Sequence, residues 1–342
     1  MRTELELIEE LTKERSRASA DKLQELERIA THREIRKAAR KALYTLSQIG
    51  IVPGKLPPSG QAAEAAKKDT LRAFASAYDG AGNRLILFLA PDRDGGSATL
   101  IQILTNDTEG VQKCETLKLR RREVDERINI IKSQVETGLA VAEIDPDFSR
   151  WLLASARSLS ASLSRRSPDE LLSWMSKIGE PVSEYAPPIY TRVTEEEIMA
   201  DSSVVSDPAE LFKLIWFDPW FFAAEDAVPW LPQWEQAITE AGDQPDMSPG
   251  TAIDKIVTDA ANGLMTDSMR RLYIRRLEET ADVLWRCGKE CEAKQALYHA
   301  VTLHRACTEQ AAGIPFAHAI ALRTLGAAFE MVRAYRERRA GG

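Results

Sequence analysis

Cys287 and Cys291, followed by His299, His304 and Cys307, bring the ligand types of a zinc site into one stretch of chain. Structural zinc is clamped tetrahedrally by close cysteine pairs; here the two leading cysteines flank a single helical turn, so no metal is expected. Asp92-Arg-Asp-Gly-Gly96 opens like a calcium loop, but Ile103 stands where the closing Glu would be, and the segment reads as a hairpin turn. Gly-rich phosphate loops, a Gly-x-Ser-x-Gly elbow and a His-Glu-x-x-His pair do not occur. Of the groups that titrate near neutrality, His32, His299, His304 and His318, three fall in alanine-rich segments predicted to be helical. Aspartates and glutamates are too numerous for any pair to stand out, which leaves one catalytic expectation. It is a hydrolase or transferase with a carboxylate-lined pocket between a sheet and its helices. The motifs otherwise point away from catalysis, and no cofactor is expected.

Two groups of residues are instead suited to contact. Arg33, Arg36, Lys37, Arg40 and Lys41 share one side of a helical period, where they can pair with an acidic protein or track phosphates. The run Trp216-Phe-Asp-Pro-Trp220-Phe-Phe222, with Trp230 and Trp234 beyond it, combines large apolar area with N–H donors, as binding anchors do. A plainer reading makes the same aromatics a wedge of core between sheet and helices, because that much exposed apolar surface invites aggregation. The plainer reading of the cations is a solvated helix face. Arg120-Arg-Arg122 and the tail from Arg333 to Arg339 are basic too, without the aromatic interleaving of an RNA-binding signature.

The cations are positioned by a helix. Ile35, Ala38, Ala39, Ala42, Leu43, Leu46 and Ile49 recur at three- and four-residue steps along the opposite face. Thr31 and Glu34 have capping-box spacing, and a preceding helix packs through Leu23, Leu26 and Ile29. The run from Glu34 to Leu43, EIRKAARKAL, resembles the second helix of a HEAT-type repeat, which has a β-branched residue, an Arg, paired alanines and then Ala-Leu. The resemblance covers one repeat and implies an αα unit used in protein-binding, and sometimes nucleic-acid-binding, arrays. Thr31 stands where the repeat usually has Asp, and the first helix lacks its usual Pro. A single repeat cannot bury its own face. Either the segment from Arg2 to Ser16 adds a third helix or the unit docks elsewhere.

Gly50 to Asp69, with Pro53, Pro57 and Pro58, reads as a linker. Thr70–Tyr78, Arg84–Leu89, Ala98–Leu104 and Val111–Leu119 are then strand-like and separated by short Gly-, Asn- and Asp-rich turns, which favours an antiparallel meander with helices over one face. Helices are predicted over Arg121–Gln134, Pro146–Leu163, Asp267–Arg286, Glu290–Gln310 and Pro315–Arg338. The turn at Gly288 followed by Glu292-Ala293 and Ala296 is similar to a tetratricopeptide αα-hairpin.

The expected fold class is α+β, mainly α: a four-stranded antiparallel meander flanked by a HEAT-like helix pair and a helical array, an arrangement that resembles uncharacterised bacterial HEAT-like proteins. The expected division is 1–50 HEAT-like unit, 51–69 linker, 70–265 α+β domain and 266–339 helical array. Net charge is −7, with 8 basic and 22 acidic residues between 141 and 265, a balance of −14. Such a protein does not bind nucleic acid indiscriminately, although a local basic patch can. Four cysteines in 342 residues suggest reduced thiols, and no long apolar run or leader is apparent, so a cytoplasmic protein with no membrane contact is expected. The functional expectation is a noncatalytic interaction module or scaffold with a protein partner, and the alternative is an RNA- or ribosome-associated binder.

Overall fold

The computed structural model describes residues 4–14, 16–29, 33–48, 51, 71–92, 96–181, 186–243, 249–306 and 311–340. The chain divides into two compact units, Met1–Thr70 and Leu71–Gly342. It is α+β and mainly helical, as expected, with five strands rather than four.

Among the described residues the first unit has three helices, α1 (Glu4–Glu14), α2 (Arg17–Ile29) and α3 (Arg33–Gln48). Ser16 Oγ accepts from the Ser19 backbone N–H at 3.0 Å, satisfying a donor that the start of α2 leaves unpaired. Ile8 and Leu11 of α1, Ala20 and Leu23 of α2, and Ala39, Ala42 and Leu46 of α3 are buried in one core. The helix pair therefore hides its apolar stripe against α1, the first of the two arrangements the sequence allowed. Thr31, Ile49 and residues 52–70, which include most of the expected linker, lie outside the described residues.

The second unit opens with an antiparallel sheet of β1 (Arg72–Ser76), β2 (Asn83–Pro91), β3 (Ser97–Asn106), β4 (Gly110–Arg120) and β5 (Val141–Ile144), in the order β4-β3-β2-β1-β5. The first four strands form the expected meander. β5 pairs with β1, with Phe74 opposite Glu143. Turn chemistry sets the register: Asp79 Oδ1 accepts from the N–H groups of Ala81 and Asn83, and Gly82 takes the left-handed φ of +81° that closes the β1–β2 turn. Between β3 and β4, Asn106 Oδ1 accepts from the N–H groups of Thr108 and Glu109.

Helices cover both faces, not one. Ala73, Ala75, Ile86, Phe88, Ile101 and Ile103 pack on α5 (Pro146–Ser162) and α6 (Asp169–Ile178), whereas Phe74, Leu87, Leu89 and Leu100 pack on α4 (Arg121–Ser133) through Val124, Ile128 and Ile131. Alternate residues of one strand point to opposite faces, so a strand covered on both sides is apolar throughout, as Leu85-Ile-Leu-Phe-Leu89 is. At the sheet's outer edge the β5 carbonyls of Val141 and Glu143 accept from Cys287 Sγ at 3.5 Å and Arg286 Nη1 at 3.4 Å.

Beyond the sheet come α7 (Glu195–Ala200), α8 (Leu231–Asp243), α9 (Pro249–Leu264), α10 (Asp267–Arg286), α11 (Glu290–Arg305) and α12 (Pro315–Ala340). The acidic Thr194-Glu-Glu-Glu197 is a capping box on α7, in which Thr194 Oγ1 accepts from Glu197 N and the Glu197 carboxylate accepts from Thr194 N. Tyr273, Leu277, Ala281 and Leu284 line the buried face of α10. One apolar core runs from Ala77 and Tyr78 beside the sheet to Leu325 and Ala328 in α12, so the boundary expected at 265/266 falls inside a single compact unit.

Candidate functional site

On α3, Lys37, Arg40 and Lys41 are exposed while Ala39, Ala42 and Leu46 of the same helix are buried. Arg40 Nε donates to Glu27 Oε1 of α2 at 2.7 Å, a solvent-facing pair, and the side chains of Lys37 and Lys41 have no partner among the described residues. Arg33 and Arg36 belong to α3, but their side chains lie outside the described residues. In the C-terminal tail, Arg336 pairs with Glu235 at 2.7 Å and Arg333 with Glu330 at 2.8 Å.

The tryptophan segment is core rather than a presented surface. Trp220 is 0% exposed and its ring lies 5.0 Å from Phe217 and 6.0 Å from Tyr273. Trp216 and Trp234 are buried, and Trp216 Nε1 donates to the Val135 carbonyl at 3.1 Å. Trp230, half-buried, lies against Gly263, where a Cβ would come within 2.6 Å of the ring. Trp216, Trp220 and Trp234 therefore have no face left to offer a partner. Aromatic rings of this area stabilise most when removed from water, and the helices of the second unit close around them.

The thiols and histidines do not converge. Among the described residues no group of His, Cys, Asp and Glu is arranged to hold a metal, and Cys307 lies outside them. His299 is buried beside Phe316 and Tyr298, and burial pushes its pKa down to about 4.

A polar site that the sequence did not reveal lies where the sheet meets α10. Arg84 of β2 reaches down to Glu279 of α10, and the two side chains are only 2% and 3% exposed. Glu279 Oε2 accepts from Arg84 Nη1 and from the Tyr78 hydroxyl, the latter at 2.9 Å, while Oε1 accepts from Arg275 Nε at 2.7 Å. Arg84 Nε donates to the Ser76 carbonyl at 2.9 Å, and its guanidinium lies 4.4 Å over the Tyr78 ring. One turn along α10, Arg276 makes a two-pronged pair with Asp107 at 2.5 and 2.8 Å. Gly82 gives this pair room, because a Cβ there would overlap Arg276 Nη2 and Asp107 Oδ1.

Burial, reinforced by the Glu279 charge, pushes the Tyr78 hydroxyl up. Burial alone would raise Glu279, but Arg275 and Arg84 outweigh it and hold the carboxyl below its usual range. Next to it, Glu278 points to the other side of α10, where the Tyr190 hydroxyl donates to Oε1 at 2.8 Å; burial raises its pKa from 4.5 to about 7.

Above the network a cavity of about 240 Å³ is bounded by Tyr78, Arg84 and Ile86, by Thr105 to Asp107, by Leu152, Ser155 and Leu159 of α5, and by Arg275. Comparison with protein-family models, curated proteins and solved structures finds no match for this chain. Among the described residues no helix is long and apolar enough to cross a membrane.

Proposed function

We propose that the protein is a noncatalytic interaction module whose first unit docks an acidic protein partner through the outer face of α3. The reading rests on one observation: Lys37, Arg40 and Lys41 stand in solvent on a helix whose other face is closed into a three-helix core. Arg33 and Arg36 extend the same helical period. The HEAT-like pattern of α3 supports the same use, since helical repeats of that type present one face to partners. Charge suits the role, because long-range attraction between a cationic patch and an acidic surface speeds encounter and weakens with salt.

The test is charge reversal. Lys37→Glu with Lys41→Glu leaves the Arg40–Glu27 pair and the buried face intact, so the fold, checked by circular dichroism, is expected to persist. Partners captured by the full chain at low ionic strength are expected to be lost by the double variant and by the wild type at high salt. Capture that survives reversal removes α3 from the account. Retention on RNA at low salt, lost on reversal, would replace the protein partner with RNA.

A further inference from the structure

We propose that the cavity between β2, β3, α5 and α10 binds a small organic oxyanion, a carboxylate or phosphate monoester, with its charged head on Arg275 and Ser155. The wall carries an excess of positive charge: the guanidiniums of Arg84 and Arg275 line it with a single described carboxylate, Asp107, and behind them Arg276 pairs with Asp107 and Glu279 with Arg84 and Arg275. Asp107 is engaged on both oxygens by Arg276, and Glu279 is shared between Arg84, Arg275 and Tyr78, so neither carboxylate is available to repel an anion or to accept from a ligand.

What remains open is donor capacity. Arg275 uses Nε on Glu279, and its two terminal nitrogens have no partner among the described residues; the side chain is 37% exposed. Ser155 Oγ on the facing helix has no partner there either. Arg275 is also held in place. Its guanidinium lies 5.2 Å over the Trp151 ring, so the fork is oriented before any ligand arrives and little side-chain freedom is lost on binding. A planar guanidinium fork matches the paired oxygens of a carboxylate or phosphate. Ile86, Leu152 and Leu159 complete the lining and give an apolar body somewhere to lie. A volume of about 240 Å³ is below that of sites for drug-sized molecules, which restricts the ligand to a compact metabolite.

The experiment uses the full chain and isothermal titration calorimetry, with benzoate, phenyl phosphate, inorganic phosphate and chloride titrated at matched ionic strength. At least one of the two organic anions is expected to bind saturably, more tightly than inorganic phosphate, and chloride is expected to give no saturation. Whichever of benzoate and phenyl phosphate binds tighter identifies the head group. Arg275→Gln is expected to weaken binding at least tenfold. Ser155→Leu, which fills the space without touching the ion pairs, is expected to abolish it in a protein with unchanged circular dichroism. Saturable binding of neither organic anion, or binding that Ser155→Leu leaves intact, overturns the proposal.

Discussion

Glu278→Gln should remove one pH-dependent contribution to stability. Burial disfavours the Glu278 carboxylate; the neighbouring Glu279 and Glu195 add to the rise, whereas the Tyr190 hydroxyl and His304 oppose it, leaving a pKa of about 7 against an ordinary 4.5. The folded state therefore holds a proton that the unfolded chain has released. Between pH 4.5 and 7 the unfolded state binds fewer protons at this site, so the contribution of Glu278 to stability falls as pH rises, and it is fully present only below pH 4.5. At about 1.4 kcal/mol per pH unit the interval amounts to roughly 3 kcal/mol, reached near pH 7 and constant above it. Gln keeps an oxygen to accept from Tyr190 Oη and cannot ionise, so it removes the loss while preserving the contact. Urea unfolding followed by circular dichroism at half-unit steps from pH 4.5 to 8.5 measures both proteins. Their stabilities should coincide near pH 4.5 and diverge to about 3 kcal/mol in favour of Gln by pH 7.5. A difference that does not change with pH refutes the burial argument for this carboxyl.

The other expectations concern the pair one turn along α10. Asp107→Asn leaves the Arg276 guanidinium buried opposite a neutral amide and should destabilise the protein by about 3–5 kcal/mol, read as a lower urea midpoint with unchanged slope. Gly82→Ala places a Cβ into the same pair and forces a left-handed backbone on a residue that resists it. The backbone alone contributes about 1–2 kcal/mol of destabilisation, and Asp107→Asn combined with Gly82→Ala should cost less than the sum of the two because the second change damages a pair already broken.

Local signals in the sequence located most elements and failed where distance decides. The starts of α5 and α10 fall at Pro146 and Asp267 as expected, and there the side chains of Asp145 and Thr266 accept from Asp147 N and Met269 N, both contacts within a few residues. β5 escaped because Val141–Ile144 is only 4 residues long and is a strand solely through its pairing with β1. The covering of both sheet faces was missed, although the unbroken apolar run of β2 carried the signal: an alternating pattern would have marked a solvated face. The Arg84–Glu279 pair joins residues 195 positions apart, and no periodicity or motif links them. Composition marked the tryptophans as anchors, but an anchor's chemistry serves a core equally well, and only packing distinguishes the two. On α3 the same helical period that identified the apolar stripe also placed Lys37, Arg40 and Lys41 outward.

The outer edge of β5 has a consequence for how this chain behaves in crowded solution. A strand whose outward carbonyls are already engaged by Arg286 and Cys287 is a poor template for another chain's backbone. At the opposite rim, β4 carries Lys113, Glu115 and Lys118 outward, so a second copy approaching there meets ordered charge rather than bare apolar strand. The sheet is thus terminated at both ends, by side-chain engagement at one and by charge at the other, and its growth into fibrils is opposed without a barrel's closure.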